Sequence, residues 1–274
     1  MDRRRFLKRL GFGGAGLLGV GAPAGSYIAG RHLGEVTTTR HWASSASGGE
    51  RNGHASVWWS VGTDEKKVAL TFDDGPTKRF TPEVLDILDQ YDVPATFFLI
   101  GELVTRRPDI VTRMLEAGHE VGNHTFDHFD AAGQSPDEVR RSMEQGADAV
   151  AKVLGDRPRW FRPVKGHITG ALLNAAVDIG HDIALWSVGR GFSAQVDDAD
   201  SEGVRRHMTS AVEPGSVMIF HDGIGRSEWD WSGPDAQLVT QRRAELDALP
   251  AIVEEILARD YEFTTLSALV DQEG

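Results

Sequence analysis

The sequence contains no cysteine among its 274 residues. Disulfide bridges, thiolate metal ligands and a cysteine nucleophile are therefore all excluded. Basic residues are also scarce, since Lys and Arg total 29 against 41 Asp and Glu, and the formal net charge is −12. A chain this acidic lacks the basic face that binds phosphate backbones, so we do not expect it to bind nucleic acid. Any metal must be held by carboxylates and by the 10 histidines.

The first 24 residues have the layout of an export signal. A basic start precedes an uncharged stretch over residues 10–30, and small residues at 22–24 offer a cleavage site. The run Arg-Arg-Arg-Phe-Leu-Lys at residues 3–8 resembles the twin-arginine signal. Several glycines weaken the stretch as a membrane span, and an uncleaved membrane anchor is the second interpretation. We therefore expect export by the twin-arginine machinery, to the periplasm, the cell wall or the outside.

Residues 25–62 are rich in Ser, Gly and Thr and show no sustained periodicity. This composition is typical of a flexible linker. The remaining residues, 63–274, are expected to form one catalytic domain.

The domain alternates short apolar runs with helical patterns. Strands are predicted at 67–72, 95–100, 119–122, 160–162, 183–188, 216–220 and 261–265, with helices between them. Apolar strands that alternate with helices indicate a parallel sheet covered on its faces. About seven β/α units favour an α/β fold of the TIM-barrel type, distorted or incomplete. No glycine-rich dinucleotide or phosphate-binding fingerprint follows any strand.

Polar side chains collect where the predicted strands end. They are Asp73 and Asp74, His124 and His128, Arg162, Trp186 and Ser187, and His221 and Asp222. In a β/α barrel the carboxyl ends of the strands surround the active site. We therefore expect these groups to share one cavity.

The pair His124 and His128 indicates a metal site. Two histidines four residues apart lie on one face of a helical turn, and a carboxylate from another strand would complete three ligands. One of Asp73 and Asp74 would bind the metal, and the other would serve as general base. Free imidazole titrates near neutrality, so a histidine at the end of the sixth strand, His221, would protonate a leaving group.

Three segments carry a resemblance to a known family. They are Thr-Phe-Asp-Asp-Gly-Pro at 71–76, His-Thr-Phe-Asp-His at 124–128 and Ile-Phe-His at 219–221. They resemble motifs of the polysaccharide deacetylase family (NodB homology, carbohydrate esterase family 4), and the resemblance spans about residues 67–269. It implies a distorted β/α barrel, a divalent metal (usually zinc) and hydrolysis of N-acetyl groups on an amino-sugar polymer such as peptidoglycan or chitin.

The resemblance also implies roles for single residues. Asp73 would be the base, Asp74, His124 and His128 the metal ligands, His221 the acid, and Arg162 the arginine that holds the base in place. We expect the partners to be an acetylated glycan substrate and the export machinery, and we expect a monomer.

Two motifs depart from the family pattern. Lys165 stands where a Tyr is usual, and residues 187–193, shortly after Trp186, contain no Asp to tune the acid histidine. Asp222 or a residue in 195–200 are the candidates to replace that carboxylate. Lys165 and Arg190 add positive charge near the mouth, which favours an anionic glycan.

Two other functions remain open at the sequence level. One is a metal-dependent amidase that acts on a small or cyclic amide, because the same groups hydrolyse any amide that reaches them. The other is a glycan-binding protein that has lost activity, prompted by the missing Asp of the fourth motif.

Overall fold

A curled, mostly parallel sheet forms the centre of the computed structural model, which describes residues 34–39, 52–190, 200–226 and 235–271. Its strands within these residues are β1 (Gly34–Thr39), β2 (Asn52–Trp58), β3 (Lys67–Gly75), β4 (Thr96–Leu99), β5 (Glu120–Asn123), β6 (Trp160–Phe161), β7 (Asp182–Ala184), β8 (Val217–His221) and β9 (Glu262–Thr264). The order is β1-β2-β7-β6-β5-β4-β3-β8, with β9 beside β3. The pairing of β1 with β2 is antiparallel, and the other strand pairs are parallel.

Helices follow most of the strands. They are α1 (Thr81–Gln90), α2 (Gly101–Arg106), α3 (Pro108–Glu116), α4 (Pro136–Leu154), α5 (Gly170–Ile179), α6 (Ser201–Ser210), α7 (Asp235–Leu257) and α8 (Leu266–Val270). Local sequence explains their starts: α4 begins with a capping box between Ser135 and Glu138, with Pro136 in the first turn. No described helix has both the length and the apolarity that a membrane crossing needs.

The curled sheet closes where the chain that follows β7 reaches β8. The strand predicted over 183–188 pairs regularly only at Asp182–Ala184, and the chain then continues to Val188, which bridges Met218 of β8. The amide of Ile219 donates to the carbonyl oxygen of Val188 at 2.8 Å. The distorted β/α barrel predicted from the sequence is thereby confirmed.

Two strands lie inside the stretch for which the sequence predicts a linker. Residues 34–39 form β1 and residues 52–58 form β2, so the linker prediction is wrong for these residues. Ala55 and Val57 of β2 are buried in a cluster with Phe161. Ala55 and Val57 are too few alternating apolar residues for the sequence to predict a strand here. The predicted signal, 1–24, and the rest of the linker before residue 52 lie outside the described residues.

The main core lies between the sheet and the helices of its outer face. Phe72 of β3 stacks on Phe97 of β4 with 5.1 Å between ring centroids, and Phe220 of β8 lies 5.8 Å from Phe72. These rings are buried and lock three adjacent strands together. The strand ends that carry the polar residues are thereby fixed relative to one another.

Candidate active site

Two adjacent aspartates end β3 at the mouth of the barrel. Neighbouring residues on a regular strand point to opposite faces. Here the register shifts between Asp73 and Gly75, and Asp74 has a φ of 76°. This irregularity lets both carboxylates lie at the mouth, where both are buried.

The histidine pair lies on a loop after β5. The prediction of a helical turn is wrong, because Thr125 and His128 have φ values of 68° and 56° and the segment forms no helix. The loop is tied to α4 through Ser142, whose hydroxyl donates to Asp127 at 2.6 Å. The left-handed residues turn the chain so that the rings of His124 and His128 lie 5.3 Å apart. His124 and His128 therefore lie close together as expected, but on an irregular loop and not on a helical turn.

Asp74, His124 and His128 form a cluster that fits a cation. Their ligand atoms all lie within 4.8 Å of one another. Asp74 Oδ1 is buried and accepts no hydrogen bond, while Nε2 of His128 and Nε2 of His124 lie 3.1 and 3.6 Å from it. Nδ1 of His124 bonds the carbonyl oxygen of Arg162 at 2.8 Å, which fixes the proton there and leaves the Nε2 lone pair for a metal.

The electrostatics of Asp74 agree with this reading. Burial alone would raise the pKa of the Asp74 carboxyl, but the neighbouring histidines, above all His128, hold it well below its usual range. The group is therefore ionised and ready to bind a cation.

Arg162 holds Asp73 in place, as the sequence resemblance implies. Its Nη1 donates to Asp73 Oδ1 at 2.8 Å and to Thr71 Oγ1 at 2.7 Å. Its Nε and Nη2 donate to the carbonyl oxygens of Ala184 and Leu185 at 3.2 and 2.8 Å. These bonds fix a fully buried guanidinium and, through it, one oxygen of Asp73.

A buried glutamate that sequence reasoning missed lies beside His221. Glu245 Oε2 accepts from the backbone amide of His221 at 3.0 Å and lies 3.3 Å from its Nδ1. Glu245 belongs to α7, and no sequence spacing relates it to the strand that carries His221. Only the tertiary packing of α7 on β8 brings the two together.

The carboxylates proposed from the sequence as partners of His221 have other contacts. Asp222 Oδ2 accepts from Thr81 Oγ1 at 2.5 Å, and burial together with the charges of Asp74 and Asp73 raises the pKa of Asp222 to about 7. Asp200 caps α6 by accepting from the amide of Gly203 at 2.9 Å. Residues 195–199 lie outside the described residues.

Two cations expected to make the mouth positive are paired with carboxylates. Lys165 Nζ lies 3.3 Å from Asp130 Oδ2, and Arg190 Nη1 lies 3.9 Å from Glu245 Oε1. The described geometry therefore gives no support to a preference for anionic glycans. Trp186 lies near Arg162, with 5.8 Å between its ring and the guanidinium carbon. The Ser187 hydroxyl accepts a hydrogen bond from the amide of Val217 at 3.2 Å, so it connects the chain after β7 with β8.

Comparison with known proteins identifies the family. Residues 60–184 match the family described as polysaccharide deacetylase. A peptidoglycan-N-acetylglucosamine deacetylase of Bacillus cereus is 35% identical over 217 residues, which cover 78% of this chain and 92% of the relative. A chitooligosaccharide deacetylase of a Bradyrhizobium species is 35% identical over 208 residues, which cover 74% and 90%.

A solved structure agrees with these sequence matches. The crystal structure of the Bc1960 peptidoglycan N-acetylglucosamine deacetylase superposes with a TM-score of 0.68 at 30% identity, over 78% of this chain and 92% of that one. The fold, the sequence matches and the motif residues all indicate the same family. The chain therefore belongs to the polysaccharide deacetylase family.

Proposed function

We propose that the protein is a metal-dependent hydrolase that removes N-acetyl groups from an amino-sugar polymer and releases acetate. The observation that carries this proposal is the convergence of Asp74, His124 and His128 on one point. Asp73 lies beside it, with Oδ2 3.9 Å from His124 Nε2, and His221 pairs with Asp73 across β3 and β8.

The metal we propose is zinc. One carboxylate and two imidazoles, with positions left open for water and substrate, are a donor set that suits catalytic zinc. When bound, such a cation activates water and polarises the acetyl carbonyl.

Asp73 is the proposed general base. Because Arg162 binds Oδ1, the other oxygen, Oδ2, is the one directed to the cluster. It accepts a proton from water as the water oxygen bonds to the acetyl carbon. Arg162 keeps the Asp73 carboxylate in place, so it is a positioning residue in this scheme.

His221 is the proposed general acid. An amine leaves poorly as an anion, so the carbon–nitrogen bond breaks as His221 donates a proton to nitrogen. The products are acetate and a free amino sugar. Proton exchange with solvent then returns Asp73 and His221 to their starting states.

Peptidoglycan is the substrate we propose first. Several similar proteins are named for peptidoglycan N-acetylglucosamine, and an export signal would bring the protein to the cell wall. Chitin oligomers share the same N-acetylated sugar, and another relative is named for them.

The test measures acetate release by the zinc-loaded protein from peptidoglycan and from chitin oligomers, and ring opening of a cyclic amide. We expect release from the glycans. Asp73→Asn should keep the metal but lose roughly 10²- to 10⁴-fold in turnover, since it removes the base. Asp86→Asn is the matched control, because Asp86 pairs with Arg113 at the surface.

Hydrolysis of the cyclic amide alone would make the protein an amidase. Glycan binding without acetate would make it a binding protein. Unchanged turnover in Asp73→Asn would contradict the assignment of the base.

A further inference from the structure

Glu245 contacts both the main chain and the side chain of His221. One carboxylate oxygen, Oε2, faces both the backbone amide of His221 at 3.0 Å and its ring nitrogen Nδ1 at 3.3 Å. A single oxygen therefore fixes both the main chain and the side chain of this residue. With Nδ1 directed to Glu245, Nε2 on the opposite side of the ring is left for the substrate.

The second oxygen of Glu245 faces two arginines. Arg242 Nη1 lies 3.3 Å from Oε1, and Arg190 Nη1 lies 3.9 Å from it. Arg242 is itself anchored, since its Nε donates to the carbonyl oxygen of Gly223 at 2.7 Å. The carboxylate thus lies between an imidazole on one side and guanidinium groups on the other.

We infer that Glu245 is the positioning residue of the acid His221 and takes the place of the carboxylate that the fourth motif lacks. This inference rests on the proposed function. Residues 187–190, which follow Trp186, contain no Asp, and Arg190 lies 3.9 Å from the same glutamate. In this chain the carboxylate that contacts the imidazole comes from the helix α7.

Arg242 and Arg190 determine whether Glu245 takes the proton from His221 Nδ1. Burial alone would raise the pKa of the Glu245 carboxyl, but Arg242, His221 and Arg190 together hold it below its usual range. Glu245 therefore stays ionised and does not take the proton from Nδ1. It stabilises the protonated imidazole, which donates its other proton from Nε2 to the departing nitrogen as the carbon–nitrogen bond breaks.

This role predicts a dependence on the leaving group. Cleavage of an N-acetyl group needs protonation of the amine, whereas an aryl acetate such as 4-nitrophenyl acetate loses a stable phenolate without it. Weakening the acid should therefore slow amide cleavage and leave aryl ester cleavage nearly unchanged. Loss of packing would instead slow both reactions.

The test compares Glu245→Gln with the wild-type protein on both substrates. We expect kcat for acetate release from an N-acetylated glycan to fall about 10- to 100-fold with KM unchanged. Turnover of 4-nitrophenyl acetate and zinc content should stay within about two-fold of the wild type. Glu254→Gln, on the same helix and bonded to the Tyr91 hydroxyl, is the matched control and should match the wild type on both substrates.

An equal loss on both substrates, or no loss on either, would overturn the inference. If Glu245→Gln does not fold, Glu245→Asp, which keeps the charge on a shorter side chain, should lower amide turnover selectively and by less. In a His221→Ala background, Glu245→Gln should add little further loss, because it acts through that ring. A wild-type protein that releases no acetate would refute the proposed function and not this inference alone.

Discussion

Gly225 lies against the ring of His128, one of the three proposed metal ligands. A Cβ atom at this position would lie 2.4 Å from Cε1 of His128, closer than nonbonded atoms approach. Gly225 also has a φ of 77°, a conformation that glycine adopts at low cost. The position of the His128 ring therefore depends on the absence of a side chain at residue 225.

We predict that Gly225→Ala displaces His128 and weakens zinc binding by roughly 10- to 100-fold. Zinc titration against a competing chelator measures this. Gly133→Ala is the control, since Gly133 has the same φ of 77° and open space around its Cα. Equal zinc affinity in both variants would show that the His128 contact is unimportant.

The site residues that sequence predicted are those that directly follow strands. Asp73, Asp74 and His221 lie at strand ends, where a local motif and a known fold class together determine the position. Glu245 was missed because its role depends on how α7 packs against β8. No local pattern in α7 separates the buried Glu245 from the exposed acidic residues of the same helix, Asp247 and Glu254.

At the scale of elements, His181 connects β5 with the chain that enters β7. Asn123 Nδ2 donates to His181 Nε2 at 3.1 Å, and His181 Nδ1 bonds the carbonyl oxygen of Pro158 at 2.9 Å. This arrangement needs a neutral ring, because Nε2 must accept. Burial lowers the pKa of His181 to about 4.

The sign of the pH effect follows from this shift. Between pH 6.5, the ordinary pKa of histidine, and pH 4, His181 is protonated in the unfolded chain but neutral in the folded chain. The free energy of unfolding therefore falls as the pH drops from 6.5 towards 4. We expect a loss of about 2 kcal/mol between pH 7 and pH 5 from His181 alone. Urea unfolding at both pH values measures it.

His181→Gln is the comparison for this measurement. Glutamine offers a donor and an acceptor but does not titrate, so its pH-dependent loss should be smaller by that amount. The same loss in both proteins would assign the effect to other groups, among which His119 also has a pKa lowered to about 4 by burial.

The elements that sequence missed are short or weakly patterned. α2 has six residues and runs almost directly into α3, so its period is too brief to separate the two. β2 buries only one face, and β1 pairs only with β2 at the edge of the sheet. The long helices were predicted because their helical period is repeated, and the buried strands because they are continuous apolar runs.

For the molecule as a whole, the packing of the barrel strands fixes the positions of the proposed metal ligands. Asp74 comes from β3, His124 and His128 come from the loop after β5, and β4 pairs with both strands. The buried Phe72 and Phe97 fix β3 on β4. The metal-free protein should therefore stay folded, unlike small domains that fold only around zinc.

Removal and return of the metal test the central claim most directly. After chelation, we predict an unchanged circular dichroism spectrum, no acetate release from N-acetylated glycan, and full recovery with one zinc ion per chain. His128→Ala should lose this one-to-one recovery, because it removes a ligand of the cluster. Acetate release that persists in metal-free protein, or recovery that is equal in His128→Ala, would contradict the account.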